Sequence, residues 1–325
     1  MLTLNQLANI SQLPDLALCP LDSWDLISVT GEDRISFLNG QLTCDITKLT
    51  PGQQTLAAHC NPQGKVWSII RVIVLEDRVL YTQPSSVSEI QLPALKKYAA
   101  FSKVEIKQET EYQLFGLVGA KSADYITENI DSSATREVST LLANNTVVIK
   151  QPYPSLRYLI IMKNTEAESF LNTIKNTAEV YDDSLWTAMN IASGVGFVSA
   201  ESSSQFIPQM LNLQALDGIS FTKGCYIGQE TIARAKYRGA NKRALFILTG
   251  RASESPSIGT GIQVLLNNNW KKTGTIVSSC RYGDGHIEVL AILPKDTTPE
   301  DVFQVQDMED STLYYAPLPY QVEES

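Results

Sequence analysis

The chain has 325 residues, 43% of them hydrophobic and 19% charged, which is the composition of a globular protein long enough for two or three domains. Its net charge of -9 at pH 7 argues against a protein that coats nucleic acid, because neutralising phosphates requires a dense positive surface. The longest apolar runs, 68–75 and 157–162, are interrupted by arginine or too short for a membrane-spanning helix of about 20 apolar residues, so we expect no membrane span.

Strands and helices alternate over the first three quarters of the chain. The patterns predict a strand at 24–31, a short helix at 31–42, three strands joined by turns at 54–83, and a helix at 86–99. A similar order recurs as a strand at 112–119, a helix at 122–130, paired strands at 146–150 and 157–162, and a helix at 166–176. We therefore predict an α+β region at 1–243, formed by two related lobes with antiparallel sheets at roughly 1–110 and 111–243.

The sequence changes character after residue 243. Five short apolar runs follow between 244 and 307, separated by Gly, Pro, Asn and Asp and without a helical period. This spacing is typical of a small β-barrel or sandwich, so we predict a C-terminal β-barrel at 244–325.

A cluster of cations marks the junction. Arg234, Lys236 and Arg238 lie with Lys242 and Arg243 in a stretch, 234–243, that contains no acidic residue. Both a solvated helix end and a local site for carboxylates or phosphates are compatible with this pattern. Arg234, Lys236 and Arg238 are the candidate anion-binding residues.

One cysteine has unusual neighbours. The five cysteines contain no C-x-x-C pair, which suits free thiols in a reducing cytosol. Cys225 lies in the segment KGCYIGQE (223–230), two residues after Lys223 and just before a predicted helix, where a thiolate is favoured over a thiol. The alternative is an inert cysteine in a sharp turn formed by Gly224 and Gly228.

Other features restrict the chemistry. His59 and His286 lie in no catalytic triad or metal-ligand pattern, so we expect neither a serine hydrolase nor a metal site. Nucleotide-binding glycine motifs are absent. The N-terminus lacks a basic leader followed by an apolar core, which predicts a cytoplasmic protein. Trp24 and Trp186 are either packing anchors or platforms for a flat ligand.

Three segments carry a resemblance to a known family: LDSWDLISVTGEDRISFLNGQLTCDI (21–46), LWTAMNIASGVGF (185–197) and the long stretch 204–246 around KGCYIGQE. Within the last stretch, the segment KGCYIGQE matches a family motif residue by residue, and that motif has a rare central cysteine. In these segments, which span nearly the whole chain, the sequence resembles the bacterial YgfZ family of folate-binding, tRNA-modification-associated proteins, which look like the glycine-cleavage T-protein.

The resemblance implies a folate-binding α+β body of two related lobes, closed by a C-terminal barrel, with tetrahydrofolate or another reduced folate in the central channel. It implies that Trp24 and Trp186 contact the folate, and that Cys225, the motif cysteine, is a redox-active or otherwise functional thiol. The local chemistry adds that Lys223 supports the Cys225 thiolate. T-proteins carry an acidic pair where this chain has QGKVWSII, with Trp67 and Ser68, so aminomethyltransferase activity is not expected.

The implied function is that of a monomeric accessory factor rather than an enzyme. It would support iron–sulfur enzymes that modify tRNA, such as methylthiolation enzymes, with a linked effect on replication-initiation control. Folate and these enzymes are the expected partners, and direct contact with tRNA is left open. The alternatives are a folate-dependent one-carbon transferase or demethylase acting on an unknown substrate, and a structural adaptor with a vestigial folate site.

Overall fold

The computed structural model describes residues 2, 3, 7, 10–133, 139–141, 146–151 and 156–322. They form one antiparallel sheet, a second sheet that is antiparallel except for one parallel strand pair, helices that flank both sheets, and a closed six-stranded barrel. The predicted class, an α+β body of two related lobes followed by a C-terminal β-barrel, is confirmed. None of the helices in these ranges has the length and apolar character needed to cross a membrane.

The first lobe is a five-stranded antiparallel sheet with two helices. The first strand of the chain, β1 (Ala17–Pro20), belongs to the sheet of the second lobe. The elements of the first lobe are β2 (Trp24–Thr30), α1 (Arg34–Gln41), β3 (Gln54–Cys60), β4 (Val66–Val74), β5 (Arg78–Pro84), α2 (Ser88–Tyr98) and β6 (Glu105–Gln108). The spatial order of the strands is β3-β4-β5-β2-β6.

The second lobe repeats this plan. Its elements are β7 (Tyr112–Val118), α3 (Ser122–Asn129), β8 (Ser139–Leu141), β9 (Val147–Gln151), β10 (Arg157–Lys163), α4 (Asn164–Ile174) and β11 (Glu179–Val180). Read from β8, the strand order is β8-β9-β10-β7-β1-β11, which is the order of the first sheet with β1 inserted between its last two strands. The predicted duplication is therefore visible in the topology, and the predicted division near residue 110 falls between β6 and β7.

Two helices and the barrel complete the chain. The helices are α5 (Ser184–Ala192) and α6 (Gln229–Tyr237), with a 3-10 turn at Pro208–Leu211 between them. The barrel strands are β12 (Arg243–Arg251), β13 (Gly261–Leu266), β14 (Asn269–Arg281), β15 (His286–Pro294), β16 (Val302–Val305) and β17 (Thr312–Ala316). The order β12-β15-β14-β13-β16-β17 closes because β17 pairs with β12.

Both sheets are buried on both faces. On β4, Ile70 and Val72 pack with α1 and α2, whereas Ile69 and Ile73 belong to the large core that also contains residues of the second lobe and of α5. This arrangement follows from the two-residue period of a strand, and it explains why the central strands have nearly continuous apolar runs.

Burial also affects the thiols. Cys19, Cys44, Cys60 and Cys280 are buried and free, whereas Cys225 is exposed. Burial raises the pKa of Cys44 and Cys280 to about 12 and also raises the pKa of Cys19 and Cys60. In the folded protein, these four thiols therefore stay protonated at pH values well above those at which an ordinary thiol ionises.

This predicts a loss of stability in mild alkali. A folded-state pKa above the unfolded value of about 9 contributes stability that is present at lower pH and is lost as the pH rises toward the folded value. Each such thiol should lower the free energy of unfolding by up to about 1.4 kcal/mol per pH unit above its unfolded pKa. Lys223, Arg157 and Arg71 act in the opposite direction, because burial lowers their pKa values to about 8, about 9 and about 10. These three cations offset only part of the loss that comes from the four thiols.

Urea unfolding midpoints measured between about pH 8.5 and about pH 10 should fall. Cys60→Ala, which removes one of these thiols, should make the dependence on pH shallower. A midpoint that stays constant over this range would show that the buried thiols ionise without unfolding.

Candidate functional site

A cavity of about 310 Å³ lies between the two lobes. Its walls come from β3 and β4 of the first lobe, from β9 and β10 of the second, from the end of α5 and from the C-terminal tail. The polar and aromatic side chains among these walls are Gln54, Arg71, Gln151, Arg157, Ser193 and Tyr320. This volume is at the lower end of the range for pockets that hold small organic ligands.

The period of the strands places two arginines in this interface. Arg71 lies on β4 between Ile69 and Ile73, both of which belong to the core between the lobes. Arg157 begins β10, and Leu159, two residues later, belongs to the same core. Because side chains two apart on a strand share a face, both arginines point into the interlobe region.

Arg157 is almost completely buried and incompletely bonded. Its side chain is 1% exposed, and Nη2 donates to Ser193 Oγ at 3.0 Å. Its guanidinium carbon lies 4.5 Å from the centroid of the Trp186 ring. Within the described ranges, Nε and Nη1 find no acceptor, and Gln151 Nε2, on the same cavity, also finds none.

Arg71 brings a second positive charge to the cavity. It is 8% exposed, and Nη1 donates to Gln54 Oε1 at 2.6 Å. Burial lowers the pKa of Arg71 to about 10, while burial and then the charge of Arg71 lower that of Arg157 to about 9, so both remain charged at neutral pH. Buried charges without a counter-ion are unfavourable, and no carboxylate of the described residues pairs with either arginine.

The cavity is therefore suited to an anionic ligand. A carboxylate would accept from the free N–H groups of Arg157 and from Gln151, and the two guanidiniums would balance its charge. In the sequence, Arg71 and Arg157 stand out only because they interrupt or flank apolar runs. An arginine at an inward position of an apolar strand is the signal that could have identified them.

The two predicted folate tryptophans have different surroundings. Trp186, on α5, is 3% exposed, and Gly116 of β7 packs so closely on its ring that an added Cβ would lie 2.5 Å from Cε3. Trp24, at the start of β2, is partly buried and meets Phe197 edge to face, with ring centroids 4.7 Å apart. Neither lines the cavity itself, and Trp186 is linked to it through Arg157.

Lys223 fastens the KGCYIGQE segment to the first lobe. Its Nζ donates to the backbone carbonyls of Asn39 at 2.6 Å, Leu42 at 2.6 Å and Cys44 at 2.7 Å. Three acceptors match the three N–H groups of an ammonium, so Lys223 is held in the charged form even though burial lowers its pKa to about 8. Its predicted support of a Cys225 thiolate stays a prediction.

A contact between two glycines fixes the other end of the segment. Gly228 has φ 79° and precedes α6, and Gly64, in the turn between β3 and β4, has φ 75°. An added Cβ at Gly228 would lie 2.7 Å from the carbonyl oxygen of Asn61, and one at Gly64 would lie 2.7 Å from Cβ of Thr231. Only glycine fits at these positions.

Cys225 lies between these two attachments and is exposed. The next residue, Tyr226, is 7% exposed, and its ring centroid is 4.6 Å from Lys223 Nζ. The backbone N–H of Ile227 donates to the carbonyl of Gly40 at 3.2 Å. The segment therefore presents one accessible thiol while its neighbours are packed on the first lobe.

The three candidate anion-binding residues lie on α6 or at its end. Arg234 pairs with Glu230, one turn earlier, and both side chains are exposed. Lys236 Nζ lies 3.9 Å from the ring centroid of Phe221, and Arg238 is exposed at the end of the helix. None of the three lines the interlobe cavity. Glu230 lies four residues before Arg234, just outside the stretch 234–243 that contains no acidic residue. This i,i+4 spacing is that of a helical ion pair.

Two family models match the chain. Residues 15–150 match the GCVT N-terminal domain, and residues 241–308 match the YgfZ β-barrel domain. The chain is 40% identical over 314 residues to the tRNA-modifying protein YgfZ of Escherichia coli O17:K52:H18 (strain UMN026 / ExPEC), covering 97% of this chain and 96% of that one. The protein of the same name from Shigella boydii serotype 18 matches with the same identity and coverage.

A solved structure shares the fold. The glycine cleavage system aminomethyltransferase T from Bartonella henselae superposes with a TM-score of 0.74, covering 94% of this chain and 86% of that chain at 14% sequence identity. At this identity the likeness concerns the fold alone. With both family models matched and relatives at 40% identity over nearly the full length, the chain belongs to the YgfZ family.

Proposed function

We propose that this protein binds a reduced folate, such as tetrahydrofolate, between its lobes and supports tRNA modification by iron–sulfur enzymes in the cytoplasm. The observation that carries the proposal is the interlobe cavity, in which the buried Arg71 and Arg157 lack an acidic partner among the described residues. A folate combines carboxylates with flat rings, which suits guanidiniums beside an aromatic side chain. The match to the GCVT N-terminal domain and the name of the relatives support this assignment.

The chain's own residues would share the work of holding the folate. Arg157, Arg71 and Gln151 supply positive charge and N–H donors for its anionic part. The Trp186 ring packs against the Arg157 guanidinium. Trp24, which meets Phe197 edge to face, is the second aromatic residue that the family resemblance assigns to the folate. A bound folate would bring the capacity to carry one-carbon units.

Cys225 is the residue through which we propose that the protein acts on its partners. It is the exposed thiol among five cysteines, and its segment is fixed on both sides by Lys223 and Gly228. A thiol presented in this way can attack a partner's disulfide, which forms a mixed disulfide and releases the partner's other sulfur as a thiol, whereas buried thiols cannot be reached. A linked effect on replication-initiation control is part of the proposal only through the family resemblance.

The alternative, a folate-dependent one-carbon transferase or demethylase, is favoured by the T-protein fold alone. The described lining of the interlobe cavity contains no carboxylate and no cysteine. A catalytic group for one-carbon transfer would therefore have to come from outside that lining. We accordingly prefer the accessory role, in which the interlobe cavity binds the folate and Cys225 acts on a partner enzyme.

Substitution of the cavity residues tests folate binding. Arg157→Met should weaken the binding of tetrahydrofolate by about 10- to 100-fold, because it removes charge-assisted hydrogen bonds from a buried site. Trp186→Ala should also weaken it, whereas Trp186→Phe should keep most of the affinity because an aromatic face remains under Arg157. Trp24→Ala should weaken it as well. Isothermal titration calorimetry gives each affinity.

The exposed Trp270 on β14 provides a matched control, since Trp270→Ala removes the same side chain far from any cavity residue in sequence and should change nothing. Unchanged tetrahydrofolate binding in the Trp24→Ala, Trp186→Ala double variant would show that the placement is wrong.

Cys225→Ser tests the role of the thiol. The variant should keep the fold and the folate affinity, because the side chain is exposed, but it should fail to restore thiolated and methylthiolated tRNA nucleosides in cells lacking the protein. In the purified protein, iodoacetamide should modify Cys225 well before the four buried cysteines. Lys223→Met should slow that modification at neutral pH if Lys223 supports the thiolate. Slow alkylation of Cys225 together with full rescue by Cys225→Ser would show that the segment KGCYIGQE is a structural turn and that its thiol has no functional role.

The basic residues of α6 are tested together. Replacing Arg234, Lys236 and Arg238 by alanine should impair tRNA modification in cells while leaving the melting temperature nearly unchanged, because all three lie at or near the surface. Lys271→Ala combined with Lys272→Ala, on the exposed part of β14, removes two charges elsewhere and should have no effect. Full complementation by the triple variant would assign these residues to a solvated helix face.

A further inference from the structure

A second cavity, of about 150 Å³, lies where α6, the 3-10 turn at Pro208–Leu211 and the end of β15 meet. The side chains that matter for its chemistry are Gln209, Gln214, Phe221, Lys236 and Lys295. It shares no lining residue with the interlobe cavity. Its volume admits several water molecules or one small organic molecule.

Two amide oxygens in this cavity lack donors. Gln209 is 5% exposed, and its Nε2 donates to the carbonyl of Ile232 at 2.6 Å, which fixes the orientation of the amide and leaves Oε1 as the free end. Gln209 Oε1 and the buried Oε1 of Gln214 find no donor among the described residues. A buried carbonyl oxygen without a donor is unfavourable, so both atoms are suited to accept N–H groups from a ligand.

Positive charge is present in the same cavity. The ammonium of Lys236 lies 3.9 Å from the ring centroid of Phe221 and 5.8 Å from that of Tyr237, and no carboxylate or carbonyl of the described residues accepts a hydrogen bond or ion pair from it. None of the described residues that line the cavity is acidic. In a chain of net charge -9, the ammonium of Lys236 therefore favours an anion at this place.

We propose that this cavity binds a small amino acid, with the carboxylate at Lys236 and the ammonium at the amide oxygens of Gln209 and Gln214. A simple carboxylate would leave both oxygens without donors, and a simple amine would place its charge beside the ammonium of Lys236. A zwitterion satisfies both sets of groups, and the volume of about 150 Å³ restricts it to a small side chain.

The position of the cavity ties such a ligand to the thiol segment. Phe221 precedes KGCYIGQE and Lys236 lies on α6, which follows it, so a molecule in the cavity would contact the chain on both sides of Cys225. The site nevertheless lies outside the interlobe cavity, so it can be tested separately from the proposed folate site.

Calorimetry on the full chain tests the proposal with L-alanine and L-serine as ligands and with acetate, methylammonium and inorganic phosphate as comparisons. We expect at least one of the amino acids to bind about tenfold more tightly than any of the three comparison ions. Lys236→Met, which keeps the aliphatic stem over Phe221, and Gln214→Met, which removes one acceptor, should each weaken that binding by about tenfold. Tetrahydrofolate affinity should be unchanged in both variants.

Lys242→Met provides the control, because Lys242 neighbours this region in sequence but does not line the cavity, and it should bind the amino acids normally. Absence of binding by both amino acids up to about 10 mM would overturn the proposal. So would acetate or phosphate binding as tightly as the amino acids, or affinity that survives in both Lys236→Met and Gln214→Met.

Discussion

Two buried guanidinium groups in one cavity are the constraint around which the two lobes are arranged. Arg71 and Arg157 come from opposite sheets, and the inward face of each strand forces them into the interface that holds the core together. They do not occupy equivalent positions of the duplicated unit, since β4 corresponds to β9 and β10 corresponds to β5. A buried unpaired charge opposes folding, and an apolar residue at either position would pack as its neighbours do. The pair therefore makes sense as part of a ligand site rather than as a source of stability.

The accessible thiol depends on a different physical principle, which is close contact of main chain with main chain. Gly228 and Gly64 approach so closely that any side chain would meet backbone atoms, and both have the positive φ that glycine tolerates. Lys223 adds three hydrogen bonds to carbonyls at the end of α1 and just after it. The position of Cys225 is thus determined by the first lobe, although the cysteine lies more than 150 residues later in the chain.

Much of this fold is legible in the sequence, because long strands and helices carry strong periodic patterns. Such patterns predict the duplication, the helices α1 to α4 and five barrel strands. The glycines on either side of Cys225 indicate a segment with an unusual backbone conformation. Short strands such as β1 and β11 do not, since they contain four and two residues and depend on partners elsewhere. The site was the hardest part to foresee. The surroundings of Arg157 could be an acidic residue, solvent or a cavity, and which of these occurs depends on which strands become neighbours. Nothing in the sequence around Lys223 indicates that its hydrogen-bond acceptors lie on the first lobe.

The hairpin of β3 and β4 joins the two candidate sites. Its strands contribute Gln54 and Arg71 to the interlobe cavity, and its turn contains Gly64, against which Gly228 packs at the start of α6. Strand pairing makes this hairpin stiff, because β3 and β4 are hydrogen-bonded along nearly their whole length. Arg71 and Gly64 therefore lie at opposite ends of one hydrogen-bonded hairpin. The same element thus contributes to the wall of the interlobe cavity and holds the segment that presents Cys225.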